Sequence, residues 1–109
     1  MATGNQGSQL TLYASRSQKK GHQPVVDWIL DAAKAAGAHG ATVMEGSEGV
    51  DVHGRLHAAR FFELADEPAV VVIVADDPSI DALLAMLGQG GVKLFYTRTP
   101  LQFGHIGDD

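Results

Sequence analysis

Seven consecutive apolar residues, Ala69-Val-Val-Val-Ile-Val-Ala75, constrain the fold more than any other stretch of this chain. β-Branched side chains dominate the run, which favours a strand over a helix. It does not alternate with polar residues, so both faces of that strand are expected to be buried. The run is also far shorter than the roughly 20 residues a helix needs to cross a bilayer.

The flanking segments supply partners for such a strand. Gln9 to Ala14 alternates, with Leu10 and Leu12 on one side and Thr11 and Tyr13 on the other, and reads as a strand. Ser15 to Gln23 is a polar, basic connection. Pro24 suits a first helical turn, and Val25, Ile29, Ala32, Ala33 and Ala36 then recur at helical spacing up to the stop at Gly37. Gly40 to Glu45 reads as a second strand, and a glycine-punctuated polar loop follows to His57. Leu56 to Leu64 is strand-like and is broken by Asp66-Glu67-Pro68. After the valine run, Asp77 is placed to cap a second helix with Pro78 at its first position, and Ile80, Leu83, Leu84 and Leu87 form the apolar stripe. Gly88 ends that helix, Val92 to Thr97 gives the last strand, and Pro100 ends it. Residues 1–8 read as a disordered tail, 9–99 as one domain and 100–109 as a second tail.

The order strand, helix, strand, loop, strand, helix, strand predicts an α+β fold. It matches the ferredoxin-like split βαβ arrangement, a four-stranded antiparallel sheet with two helices on one face. The other face then lacks a cover, and no third helix exists to provide one. Other copies of the chain are expected to do so, making a homo-oligomer.

Composition narrows the function. Of 109 residues, 45% are hydrophobic and 19% charged, an ordinary globular balance, and the net charge of −5 argues against a duplex-binding protein. Basic residues cluster locally at Arg16, Lys19, Lys20 and His22, where they can hold a small anion. The absence of cysteine excludes disulfides, thiolate metal sites and cysteine nucleophiles. The polar N-terminus lacks the apolar core of a signal peptide, so a cytoplasmic protein is expected. No nucleophile, base and orienting group stand in a defined relation: Ser15, Ser17 and Ser47 have no such histidine, and Asp76-Asp77 reads as strand end and helix cap. The chain is therefore read as a non-enzyme.

Several groups have two readings. Gly40-Ala41-Thr42 is either a tight helix-to-strand turn or a place where a flat base approaches the main chain. Gly88-Gln89-Gly90-Gly91 is a helix cap with two glycines to spare, or a loop whose N–H groups meet a phosphate. Arg60, Lys93 and Arg98 are surface charges or phosphate partners. Asp51, His53 and His57 are metal-compatible in type, but sit in a loop with no recognised ligand spacing and read as solvated. Trp28 reads as a packing residue, and His22 and His39 as turn residues.

Taken in order, Leu10-Thr-Leu-Tyr13, Gly21-His-Gln-Pro24, Ala36-Gly-Ala-His-Gly-Ala-Thr-Val43, Gly46-Ser-Glu-Gly49, His57-Ala-Ala-Arg60 and Leu64-Ala-Asp-Glu-Pro68 resemble the PII-like proteins, specifically the branch called domain of unknown function 190. The resemblance covers about Gln9 to Thr97. It implies a homotrimer with adenine nucleotide in clefts between subunits, and a loop after the second strand, the T-loop, at about 46–57. That loop docks on a protein target, an enzyme or a membrane transporter, and one PII-like group couples nucleotide to bicarbonate. Carried onto this chain, the implied nucleotide contacts are Gly40, Ala41, Thr42, Val43, Gly46, Gly49, Val50, Arg60, Gly88, Gly90, Gly91, Lys93 and Arg98. No resident metal or catalytic cofactor is implied. Gly49-Val50-Asp51 replaces the Gly-Phe-Gly of PII proteins proper, Ala69 stands for a lysine, and the loop has no tyrosine to modify. An aspartate there repels phosphate charge, which favours ADP or AMP over ATP. Two alternatives share the architecture: a CutA-like metal-binding trimer using Asp51, His53 and His57, and a ligand-free oligomerisation module.

Overall fold

The computed structural model describes residues 4–45 and 68–107. Six strands and two helices occur among them: β1 (Asn5–Ser15), β2 (Lys19–Lys20), β3 (Gln23–Pro24), α1 (Val25–Ala36), β4 (Gly40–Glu45), β5 (Pro68–Asp76), α2 (Asp77–Gly88) and β6 (Phe95–Phe103). β2 and β3 form a small hairpin inside the basic connection. The main sheet is antiparallel with strand order β4-β5-β1-β6. It is the split βαβ arrangement expected from the sequence.

Both helices pack on one face. Leu10, Leu12, Val71 and Ile73 from the sheet meet Val25, Ile29, Ile80 and Leu83 from the helices, and all eight are fully buried. Fully burying side chains of this size is worth about 1.5–3 kcal/mol each, so this layer carries most of the stability. The stripe on α1 buries Val25, Ile29, Ala32 and Ala33, and the Gly37 N–H closes the helix onto the Lys34 carbonyl.

The valine run behaves differently on its two sides. Ala69, Val71, Ile73 and Ala75 are buried under the helices, whereas Val70, Val72 and Val74 are only half-buried on the helix-free face. Within one chain the strand alternates after all. The sequence pattern cannot show this, because Val serves both sides.

Four expectations are corrected. Asn5 to Ser8 are not a tail: they continue β1, pair with Phe103 to Pro100, and bury Gly7 and Ser8. The C-terminal tail likewise begins later, because β6 runs from Phe95 to Phe103 instead of Val92 to Thr97. Pro100 sits inside it, which an edge strand tolerates because one side of its backbone ladder needs no partner. The second helix is capped by Asp76, whose side chain accepts from the Ser79 N–H at 3.0 Å, which moves Asp77 and Pro78 one place into the helix. Pro24 similarly precedes α1 as its N-cap residue. The strand-like segment Leu56 to Leu64 lies outside the described residues. Among the described residues no helix is long and apolar enough to cross a membrane.

Candidate functional site

The first candidate group lies on β4, an edge strand. Residues directly opposite across an antiparallel pair share a face. Gly40, Thr42 and Met44 face Val74, Val72 and Val70, and these face Gln9, Thr11 and Tyr13, so all lie on the helix-free side. Ala41 and Val43 point to the helix-covered side. Gly40, Ala41 and Thr42 are exposed, Val43 is half-buried, and nothing lies within 4 Å of where a Gly40 Cβ would be. Gly40 to Val43 is regular strand and not a tight turn, and space is open beside Gly40.

The second group lies at the end of α2. The Gln89 N–H donates to the Met86 carbonyl at 3.3 Å and the Gly90 N–H to the Leu87 carbonyl at 3.1 Å, finishing the helix. Trp28 explains Gly90: a Cβ there would overlap the indole at Cζ2 and Cη2. Gly91 has φ +74°, a left-handed conformation that side chains with a Cβ rarely adopt. Lys93 is exposed, and its carbonyl accepts from Gln18 Nε2 at 3.5 Å. Beside this turn a shallow, mostly apolar cleft of about 120 Å³ is lined by Leu12, Leu84, Leu87, Gly88, Val92, Leu94 and Tyr96.

These groups are on opposite margins of the sheet. β4 and the approach to β6 flank β5 and β1, and three strand spacings amount to about 14 Å. One chain does not bring Gly40 to Val43 and Gly88 to Lys93 into one pocket.

The sequence offers Arg98 as a phosphate partner, but the structure gives its guanidinium other work. Nη2 bonds Asp77 Oδ1 at 3.0 Å, Nη1 bonds Asp81 Oδ1 at 2.8 Å, and Nε donates to Ser8 Oγ at 3.3 Å. Ser8 Oγ donates in turn to Asp77 Oδ1 at 2.5 Å. These bonds pin β6 to the first two turns of α2. The Ser8 hydroxyl, then Arg98, hold the Asp77 carboxyl below the usual carboxylate range, and the Asp81 and Asp77 partners raise Arg98. Asp76 is lowered by the Ser79 hydrogen bonds of the cap. Asp76 and Asp77 are thus a cap and a structural ion pair, and no acid–base pair.

Gly46, Gly49, Val50 and Arg60 lie outside the described residues, as do Asp51, His53 and His57. Among the described residues no three His, Asp or Glu side chains gather as a metal site. His39 sits at the α1–β4 junction with its ring 4.9 Å from Phe103, and His22 lies in the β2–β3 turn. The flanks of the undescribed segment, Glu45 and Pro68, emerge at the end of the sheet that also carries the β2–β3 hairpin and the Gly88–Leu94 turn. The sequence singles out Lys20 only as one of a basic cluster. Its place over Trp28, with Nζ 5.5 Å from the ring centroid, is legible only in three dimensions.

Solved structures share this fold. A PII-like signalling protein from Thermus thermophilus superposes with a TM-score of 0.62 at 10% identity, covering 94% of this chain and 93% of that one. CPII, a nitrogen regulatory PII-like protein from Thiomonas intermedia K12, bound to ADP, AMP and bicarbonate, gives 0.61 at 12% identity, covering 94% and 100%. CPII bound to ADP and bicarbonate gives 0.54 at 14% identity, covering 94% and 93%. No curated protein matches the sequence. The model of the family DUF190, described as an uncharacterized ACR, matches residues 7–95, and on that match the chain belongs to the DUF190 family.

Proposed function

We propose that this chain is a non-enzymatic PII-like regulator that binds an adenine nucleotide, ADP or AMP in preference to ATP, between subunits of a homotrimer. The observation that carries this reading is the separation of the two candidate groups on opposite sheet margins. Gly40 to Val43 of one copy and the Gly88 to Lys93 turn of the next meet only across a subunit boundary. The helix-free face supports the assembly: Met44 and Phe95 are exposed on it beside half-buried Val70, Val72 and Tyr13. Monomeric proteins seldom leave such a contiguous apolar patch to water. CPII, with the same fold, is a precedent for ADP, AMP and bicarbonate as ligands.

The base would lie on the open backbone of β4, with Thr42 offering a hydroxyl. The loop at 46–57, with Gly46, Gly49 and Val50 in it and Arg60 on the segment after it, would answer to the ligand and signal in the cytoplasm to a protein target, a transporter or carbon-fixation enzyme. A nucleotide shifts such a loop only by its differential affinity for two loop states. Arg98 is left out of the site because Asp77 and Asp81 engage it.

Calorimetry of the full chain with ADP, AMP, ATP and zinc tests the reading, with light scattering in parallel. ADP or AMP heat from a trimer supports it. Heat from zinc alone favours the metal-binding trimer, and silence from a stable oligomer favours the ligand-free module. A monomer that binds nothing ends all three.

A further inference from the structure

The β2–β3 hairpin and the turn leading into it form a stiff body. Gln18 is its joint. The Gln18 N–H donates to the Ser15 carbonyl at 3.0 Å, and its carbonyl accepts from the Val25 N–H at 2.9 Å. Its side-chain Oε1 accepts from the Ser15 N–H at 3.1 Å. Gln23 Nε2 donates to Asp31 Oδ2 at 2.8 Å, which fixes the second strand of the hairpin to α1. A short segment bonded at both ends transmits a push better than a loop with few contacts does.

Both margins of the sheet touch this body. At the β6 margin, Gln18 Nε2 donates to the Lys93 carbonyl at 3.5 Å, and Lys20 lies over the Trp28 indole, which rests in turn on Gly90. At the β4 margin, Arg16 Nε meets Oε2 of Glu45, the last residue of β4, at 3.5 Å. β5 lies between β1 and β4, so the Arg16–Glu45 pair reaches over two strand spacings, about 10 Å. A fold that needed the hairpin only to close one end of its core would not require contacts reaching out to both margins.

We propose that the β2–β3 hairpin is a strut coupling the two sheet margins, with Gln18 as its joint. Displacement of the Gly90–Lys93 turn then shifts Glu45 at the end of β4, and the reverse holds because coupling is reciprocal. Gln18 and Arg16 are positioning residues in this device: they act through Lys93 and Glu45. As regulation, it rests on the nucleotide reading above. One chain's turn faces one cleft and its β4 faces another, so the strut lets the occupancy of one cleft bear on the next. A hairpin that is merely structural predicts something else. Each contact then contributes its own stability, and changes at separate places add.

The test needs no ligand at first. Trp28 is the only tryptophan in the sequence, so its emission reports the β6 margin. The full chain is compared as wild type, Glu45→Gln, Gln18→Ala and the double variant, each checked for folding by circular dichroism. The readouts are Trp28 emission and amide exchange at Gly91 to Leu94, with exchange in the interior of α1 as the reference for global stability. Glu45→Gln, at the far margin, should speed exchange of those amides by about twofold or more and shift the emission, while α1 stays unchanged. In the Gln18→Ala background the same substitution should lose most of that effect. If Gln18→Ala does not fold, Lys20→Met, read by exchange, takes its place. The inference is overturned if Glu45→Gln leaves both readouts at their wild-type values, if α1 exchange changes in step with them, or if the effect is the same with and without the Gln18 side chain. Titration with ADP separates the two readings. Coupling in the free chain with no ADP binding keeps the strut and removes the nucleotide reading. ADP binding by a chain whose margins respond independently does the reverse.

Discussion

The Trp28 indole lies against the backbone of Gly90, so closely that a methyl group at position 90 would overlap the ring at Cζ2. This contact joins α1 to the turn after α2 and sets where the backbone enters β6. Gly90→Ala forces the ring aside. Overpacking of this kind costs about 1–3 kcal/mol. The melting temperature should fall, and Trp28 emission should move to the red as the ring loses its cover. An unchanged melting temperature and spectrum would mean that the indole does not rest there.

Arg98 and its carboxylates predict an acid limb to stability. The Ser8 and Arg98 bonds lower the Asp77 pKa in the folded state. A lowered folded pKa means that the unfolded chain binds more protons in the window between the two values, so stability rises with pH there. The Asp77 contribution is complete above the ordinary aspartate range, near 4, and is lost as pH falls through the depressed folded value. Asp77→Asn should flatten the acid limb by lowering stability above about pH 4, where the contribution is complete, and changing it least in acid; the loss should be modest, since the partly exposed pair is screened by solvent. Melting at closely spaced pH values between about 2 and 6 reads the difference.

Much of this fold is legible in the sequence, and the misses have a common cause. The α1 stripe at Val25, Ile29, Ala32 and Ala33 and the run Ala69 to Ala75 are long, periodic or uniformly apolar, and local pattern suffices. Asn5 to Ser8 and Pro100 to Phe103 are strand only because they pair with each other across the sheet. Nothing within either segment announces it: one is small and polar, and the other opens with a proline. The site shows the same division. Gly91 is a turn glycine recognisable from its neighbours. Gly90 answers to Trp28 and Arg98 to Asp77 and Asp81, partners far off in the chain that no local motif encodes. Arg98, a phosphate ligand by residue type, is therefore the candidate whose contacts depart most from what its type suggests.

The helix-free face makes a prediction about assembly. Tyr13 and Phe95 lie opposite each other there, with ring centroids 5.7 Å apart, and Phe95 keeps 46% of its surface exposed. A charge at this position leaves the helix-side core untouched. Phe95→Glu should therefore keep native circular dichroism and elute as a monomer, and the wild type should elute as the proposed trimer. A trimer that survives Phe95→Glu places the subunit contacts elsewhere.

The location of a shared site can be tested by mixing chains. Thr42→Trp blocks the β4 margin, and Lys93→Gln with Gly91→Val damages the margin at the start of β6. Each variant alone should lose ADP binding if both margins line the site. A cyclic trimer repeats a head-to-tail contact, and in the proposed one the β4 margin of one copy would meet the β6 margin of the next. After co-refolding equal amounts, random assembly gives an intact pair of margins at about one quarter of the contacts. ADP binding should return to about that fraction of the wild-type stoichiometry, with near wild-type affinity, because the restored sites are complete. A pocket contained within a single chain has no route to rescue, so silence from the mixture, with mixed trimers verified by mass spectrometry, would put the nucleotide on one subunit alone and remove the sheet-margin argument.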